Sequence, residues 1–184
     1  MIKTQRLLLV SPTVQDAKRM AEYEASNRAH WTSFASSTAG DATQEAHWQQ
    51  KLRSFEEESD KDLSVRFLLT DLQNPTGQII GTCNFTQIFR GPFQAGYLGY
   101  KIDQQFEGKG FMFEALQAAI AYMFTEQNLH RIMANYVPTN NRSEKLLNRL
   151  GFVKEGYAKN YLLINGTWQD HVLTALTNPN WKAK

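Results

Sequence analysis

The chain has 184 residues, 42% of them hydrophobic and 12% aromatic, which supplies a full core and fits one domain spanning residues 1–184. Its charges alternate in sign and sum to a formal +2, too little for the electrostatic footprint of a nucleic-acid binder. A single cysteine, Cys83, excludes an internal disulfide and a cysteine-rich zinc site, and the four histidines show no close metal-ligand spacing, so no metal is expected.

From the start of the chain, Met1 to Arg6 lack the apolar run of a signal peptide, and no later stretch approaches the ~18 apolar residues of a membrane span. A soluble, cytoplasmic protein with no membrane partner is expected. Leu7 to Val10 forms a short apolar strand candidate, broken by Ser11-Pro12-Thr13 before a helix that carries Ala17, Met20, Ala21 and Tyr23 near helical spacing. Asn27 to Gly40, with His30, Trp31 and Phe34 among small polar residues, reads as a loop. A second, polar helix follows from about Thr43 to Glu58.

The pattern then changes to strands. Val65 to Thr70 and Gln78 to Phe89 flank the turn Asn74-Pro75-Thr76-Gly77 and predict a hairpin. Tyr97 to Asp103 predicts a third strand with Leu98, Tyr100 and Ile102 on one face. An amphipathic helix is expected from Phe111 to Gln127 and a strand from Arg131 to Val137. A short helix from Asn141 to Leu150 has Asn140 as N-cap and Gly151 as stop. The chain closes with a hairpin of Val153–Ile164 and Thr167–Leu176, joined by Asn165-Gly166, a strong short-range turn signal.

Between the third strand and the amphipathic helix stands Gln105-Phe106-Glu107-Gly108-Lys109-Gly110. Two glycines there let the backbone aim its N–H groups at one point beside a helix N-terminus, a geometry that holds phosphate oxygens. The loop lacks the Lys-Ser/Thr pair of a nucleotide P-loop and the third glycine of a dinucleotide fingerprint. It therefore favours a diphosphate over a nucleoside triphosphate.

This loop, the downstream Pro138-Thr139-Asn140-Asn141-Arg142-Ser143, and Leu150-Gly151-Phe152 together resemble motifs of the GCN5-related N-acetyltransferases (GNAT). Tyr97-Leu98-Gly99-Tyr100, Gly110 to Leu116, His130 to Tyr136, Glu155 to Lys159 and Thr4-Gln5-Arg6-Leu7 are similar to that superfamily's RimJ/RimL branch. The resemblance implies a mixed α/β (α+β) fold with a mostly antiparallel sheet of about seven strands and about four helices. The sheet would splay between the Tyr97 and Arg131 strands to admit pantetheine. Acetyl-CoA is the implied co-substrate, and its acceptor is the N-terminal alanine of a small-subunit ribosomal protein, met free or on the ribosomal subunit.

By the same resemblance, Gln105 belongs to the coenzyme loop, and backbone N–H groups of Gly108, Lys109, Gly110, Phe111 and Met112 hold the pyrophosphate. Tyr100 and Ile102 flank the pantetheine arm, and Asn140 contacts the coenzyme near its thioester. Glutamate and serine at the places of Glu155 and Ser143 are proposed in RimL-type relatives as base and proton donor to the thiolate. On an uninterrupted strand Glu155 shares parity with Val153, Tyr157 and Tyr161, which predicts a carboxylate on a buried face and a raised pKa. Many relatives carry a glutamate where Tyr97 stands, so that strand offers no carboxylate base here.

Three groups compete with these assignments or drop out. Ser143 is equally a first-turn residue satisfying a backbone amide, and Tyr136 and Tyr157 are alternative donors. Cys83 shares a strand face with Ile79, Gly81 and Phe85 and reads as core, so direct transfer in a ternary complex is expected instead of an acetyl-cysteine. His130 and His171 have no triad partner and are given no role. Two rival functions keep the same loop: acetylation of a small amine or lysine side chain, and non-catalytic binding of acetyl-CoA in ribosome assembly.

Overall fold

In the computed structural model, which describes residues 1–31 and 41–183, the apolar run Leu7–Val10 forms a strand whose Leu7 and Leu9 are fully buried. This is β2; before it lies the two-residue β1 (Ile2–Lys3), paired antiparallel to it. The remaining strands are β3 (Val65–Asp71), β4 (Gly81–Phe89), β5 (Ala95–Ile102), β6 (Arg131–Met133), β7 (Val153–Ile164) and β8 (Thr167–Thr177). Among the described residues they form one eight-stranded sheet in the order β1-β2-β3-β4-β5-β6-β8-β7. Of these described strands, only β5 and β6 pair in parallel. The eighth strand beyond the seven expected is β1, too short to show a period of two.

Among the described residues four α-helices flank the sheet: α1 (Ala17–Trp31), α2 (Glu45–Asp60), α3 (Phe111–Thr125) and α4 (Asn141–Arg149). A parallel pair needs a crossover, and α3 supplies it between β5 and β6. Its Met112, Ala115, Leu116, Ala119, Ile120 and Met123 recur at i, i+3 and i+4 and are all buried in the main core. Across the sheet, α1 and α2 bury Met20, Tyr23, Trp48 and Leu52 against Leu68 and Ile79 in a second cluster.

α4 is too short to be stable by itself. Leu147, 1% exposed, contributes about 1.5–3 kcal/mol by burial, more than the ~1 kcal/mol of the Asn140 cap. Burial therefore fixes where α4 sits, and the cap fixes where it begins.

Several element boundaries differ from the sequence expectation. Asn27 to Trp31 continue α1, where the buried Asn27 side chain donates to Tyr23 O one turn back and to Asp103 Oδ2, and accepts from Gln104 N, so its polar atoms are satisfied inside the helix. His30 and Trp31 are thus helical, while Phe34 lies outside the described residues. The strand expected from Gln78 begins at Gly81, although Ile80 already donates to Leu69 O.

β6 stops at Met133 instead of Val137. Beyond the Tyr97–Met133 pair it parts from β5 but stays bonded to β8 through Ala134 and Tyr136, so the sheet opens on one side only. The last hairpin turns at Asn165 and Gly166, as expected, and their φ angles of 49° and 76° are those of a type I′ turn.

Candidate active site

The glycine loop sits at the mouth of this opening. Gly108 and Gly110 adopt φ angles of 71° and 81°, a left-handed region costly to other residues, and Gly110 caps α3. A Cβ at Gly108 would meet no protein atom within 4 Å, so the glycine serves backbone conformation and approach from outside, with no crowded neighbour to demand it. The first N–H groups of α3 have no intrahelical partner; Glu114 is the first to close a turn, onto Gly110 O. These outward N–H groups and the positive end of α3 make an anion site.

The N-terminal segment braces that loop. Arg6 donates from Nη1 to Lys109 O (3.0 Å) and from Nε to Glu114 Oε2 (2.7 Å), while its guanidinium carbon lies 4.2 Å from the centre of the Phe111 ring. Thr4 Oγ1 and Arg6 N both donate to Glu114 Oε1. Partial burial works against ionisation of Glu114, but these hydrogen bonds and the nearby guanidinium hold its carboxyl below the usual carboxylate range.

Behind the loop lies a cleft of about 890 Å³ between β5, the start of α3 and α4. Tyr100, Ile102, Gly108, Gly110, Phe111, Met112, Asn140 and Ser143 all line it, so the structure brings together most of the residues singled out from sequence. Gln105 and Lys109 stand outside this lining. Gln105 is exposed and donates its N–H to Asp103, and the Lys109 ammonium lies 5.5 Å from the Phe106 ring centre.

Asn140 accepts from Ser143 N through its side-chain oxygen, which commits that atom to the cap and leaves the amide donor end for a ligand. Burial pushes the Tyr100 phenol up to about 12; Ser143 opposes this but makes no hydrogen bond of good geometry to it, and the Tyr100 hydroxyl is buried without a partner among the described residues. The cleft mouth carries charge: Glu107 accepts from His30 Nε2 (2.7 Å) and pairs with Arg142. Trp31 Nε1 donates to Ile102 O at 3.2 Å, so α1 closes one side.

A second cavity, about 490 Å³, opens on the other side of the gap and is lined by Phe93, Tyr97, Arg131, Asn135, Glu155 and Tyr161, among others. Asn135 lines both cavities. Its carboxamide accepts from Thr174 N (3.2 Å) where a ladder carbonyl would otherwise do so, and donates to the Tyr161 hydroxyl (3.1 Å). The Tyr97 hydroxyl meets that of Tyr161, and this bond together with partial burial raises its pKa above the ordinary phenol range.

Glu155 requires a correction. The strand that carries it is interrupted, with register shifts between Lys154 and Gly156 and between Ala158 and Leu162, so parity with Val153, Tyr157 and Tyr161 is lost. Its side chain is 45% exposed and paired with Arg131, and Val153 and Tyr157 are exposed too. The expected burial is not found. Tyr157 is also turned away from the cleft, donating to Asp170 at 2.7 Å, which raises its phenol pKa.

Cys83 is fully buried, as expected, and burial drives its thiol far above the normal range. Asn135, Tyr161 and His171 were not singled out as site residues by sequence reasoning. His171 is buried on β8, lines the larger cleft, and has its ring 5.3 Å from that of Tyr161. Asn135 stood inside the quoted His130 to Tyr136 stretch, but only the departure of β6 from β5 reveals its place.

Comparison with known proteins gives a consistent picture. The acetyltransferase (GNAT) domain pattern matches residues 6–153. The chain is 48% identical over 180 residues to the ribosomal protein uS5-alanine N-acetyltransferase of Escherichia coli K12, covering 98% of this chain and 92% of that one. Among solved structures it is similar to the ribosomal-protein-S5-alanine acetyltransferase of Vibrio fischeri, with TM-score 0.93, 39% identity, and 99% and 98% of the two chains covered. Mycobacterium smegmatis RimJ in complex with CoA-disulfide shares the fold, with TM-score 0.87 and 24% identity over 97% of this chain and 85% of that one.

Proposed function

The chain belongs to the GNAT acetyltransferase family, and from that premise we propose that it moves the acetyl group of acetyl-CoA to the N-terminal α-amine of ribosomal protein uS5, an alanine, in a single domain working in the cytoplasm. The observation that carries this reading is the pair of cavities meeting at Asn135. One has a phosphate-holding loop at its mouth, and the other is open to a chain end from solvent. The cleft fits the coenzyme on its own chemistry, with helix N–H groups for the diphosphate and an apolar channel along β5 for the pantetheine arm.

In this reading the N–H groups of Gly108 to Met112 bind the diphosphate, with Gln105 and Lys109 shaping the loop from outside the cleft. Tyr100 and Ile102 border the pantetheine, and the Asn140 amide reaches it near the thioester. Bound acetyl-CoA supplies an activated acyl carbon. Ser143, on the first turn of α4 beside Tyr100, donates a proton to the departing sulfur.

Glu155 acts at the entrance, where its carboxylate attracts the ammonium form of the acceptor and takes its first proton. An α-amine with pKa ~8 needs little help to become neutral near pH 7.5, whereas a lysine side chain at ~10.4 costs about 3 kcal/mol more. The exposed, Arg131-paired position of Glu155 therefore suits an N-terminus better than a lysine.

The test is mass spectrometry of peptides beginning with alanine or serine, or carrying an internal lysine, after incubation with acetyl-CoA. One acetyl on the alanine α-amine is the expected product. Modification of lysine or of small amines alone would replace the acceptor. Coenzyme binding without any transfer would favour a non-catalytic role.

A further inference from the structure

We propose that His171 is a catalytic base of this reaction, its Nε2 atom taking the proton that the acceptor nitrogen sheds as it bonds to the acetyl carbon. The inference rests on the acetyl-transfer reading and adds a residue for which that reading has no task. It begins from position. His171 lies on β8 with 3% of its surface exposed, and that remainder faces the coenzyme cleft. Its ring contacts that of Tyr161, which lines the acceptor cavity and accepts from Asn135, the residue common to both. The imidazole thus stands where the two cavities join.

The hydrogen bonding fixes which nitrogen is basic. Nδ1 lies 3.1 Å from Gln169 O, and a carbonyl can only accept, so Nδ1 carries the proton. In a neutral imidazole the lone pair then resides on Nε2. No described residue bonds to Nε2 of His171, and what separates it from His47, whose Nε2 is also unpaired but lines neither cavity, is that His171 lines the coenzyme cleft. A ring that is buried overall, lines a ligand cleft and keeps an unbonded lone pair is the arrangement a general base needs.

The other candidates are placed less well. Glu155 is exposed and held by Arg131, on the entrance side of the acceptor cavity. The phenol of Tyr97 has its pKa raised by Tyr161 and by burial, and a neutral phenol is a poor proton acceptor. The two bases divide the work. Glu155 takes the first proton from the entering ammonium, and His171 takes the second once nitrogen is bonded to carbon.

The balance closes. One N–C bond forms and one C–S bond breaks; the nitrogen's proton goes to Nε2, and sulfur takes a proton from the Ser143 side. The imidazolium returns its proton through solvent in the open cleft, restoring the serine, and Glu155 releases the first proton to solvent. The ammonium form therefore gives amide, thiol and one free proton, and the neutral amine simply exchanges one N–H for one S–H. No other reactant enters.

His171→Asn separates the two roles of the ring. Asparagine keeps a donor near the Nδ1 position for Gln169 O and deletes Nε2. We expect thiol release with an alanine-initiated peptide to fall about 10²- to 10⁴-fold in kcat, with CoA affinity by calorimetry unchanged and with partial recovery of His171→Ala by added imidazole. Nitrogen-15 NMR of the wild-type protein is expected to show His171 protonated on Nδ1, with the Nε2 signal moving on addition of CoA. A variant within threefold of wild-type kcat would overturn the proposal, and so would a resting ring protonated on Nε2, a result that needs no folded variant. Wild-type protein that acetylates no amine would instead sink the acetyl-transfer reading, and it is distinguished by that control.

Discussion

Arg6 donates to the carbonyl of Lys109 across 103 residues of sequence, so the first turn of the chain braces the loop assigned to the coenzyme diphosphate. The same guanidinium pairs with Glu114 and covers Phe111. At 42% side-chain exposure the ion pair itself contributes only about 0.2–1 kcal/mol to stability. Its larger effect is to hold the loop in one shape.

Arg6→Gln is therefore expected to weaken CoA binding by about tenfold, or ~1.4 kcal/mol, while the acceptor KM stays unchanged. Calorimetry with CoA and steady-state kinetics with a varied peptide measure the two separately. A loss of equal size in both would mean that Arg6 supports the whole sheet instead of the loop.

Gly110 tests the anion site directly. At φ 81° any side chain is strained, and Gly110→Ala is expected to cost on the order of 1 kcal/mol in urea unfolding. Gly110→Glu adds a carboxylate beside the diphosphate position and is expected to abolish CoA binding. Unchanged affinity in the glutamate variant would remove this loop from coenzyme recognition.

Glu155 and Arg131 face the acceptor cavity from its rim. Glu155→Gln is expected to lower kcat/KM for a cationic peptide N-terminus by roughly tenfold to a hundredfold, the lower range of a lost general base, with CoA affinity kept. Arg131→Met, which frees the carboxylate, is expected to lower the KM for the same peptide. Rates across an acceptor series from strongly to weakly basic amines check this, because the Glu155→Gln deficit is expected to shrink as the amine becomes neutral.

These residues also show where sequence patterns lose their reach. The glycine loop, α3 and the Asn140 cap were legible because each depends on neighbours within one or two turns, where glycine, N-cap and helical spacing act. Asn165-Gly166 was legible for the same reason, and it correctly pairs Ile164 with Thr167. It cannot transmit register past a bulge. The irregularity between Ala158 and Leu162 brings Ala158, not Asn160, opposite His171, and the one between Lys154 and Gly156 leaves Glu155 out of the ladder at the cavity rim. Tyr161 and His171 come from β7 and β8 and Asn135 from the segment beyond the end of β6, and their meeting is a property of the splayed sheet that no local pattern records.

Tyr100 gives the most discriminating test, because its hydroxyl has opposite values with and without ligand. A buried hydroxyl lacking a partner costs about 1–3 kcal/mol, so Tyr100→Phe is expected to stabilise the ligand-free protein by about 1 kcal/mol. If the pantetheine arm supplies the missing partner, the same variant binds CoA more weakly. The titration follows the same logic. Burial raises this phenol from 10.0 to about 12, so between those values the unfolded state loses the proton first, and stability is lost as pH rises through that window. Tyr100→Phe is therefore expected to flatten the alkaline arm of a stability profile between about pH 10 and 12. A variant that is less stable at neutral pH and binds CoA as well as wild type would show that Tyr100 is a core residue bonded in solution, and the pantetheine channel would have to be redrawn along Ile102.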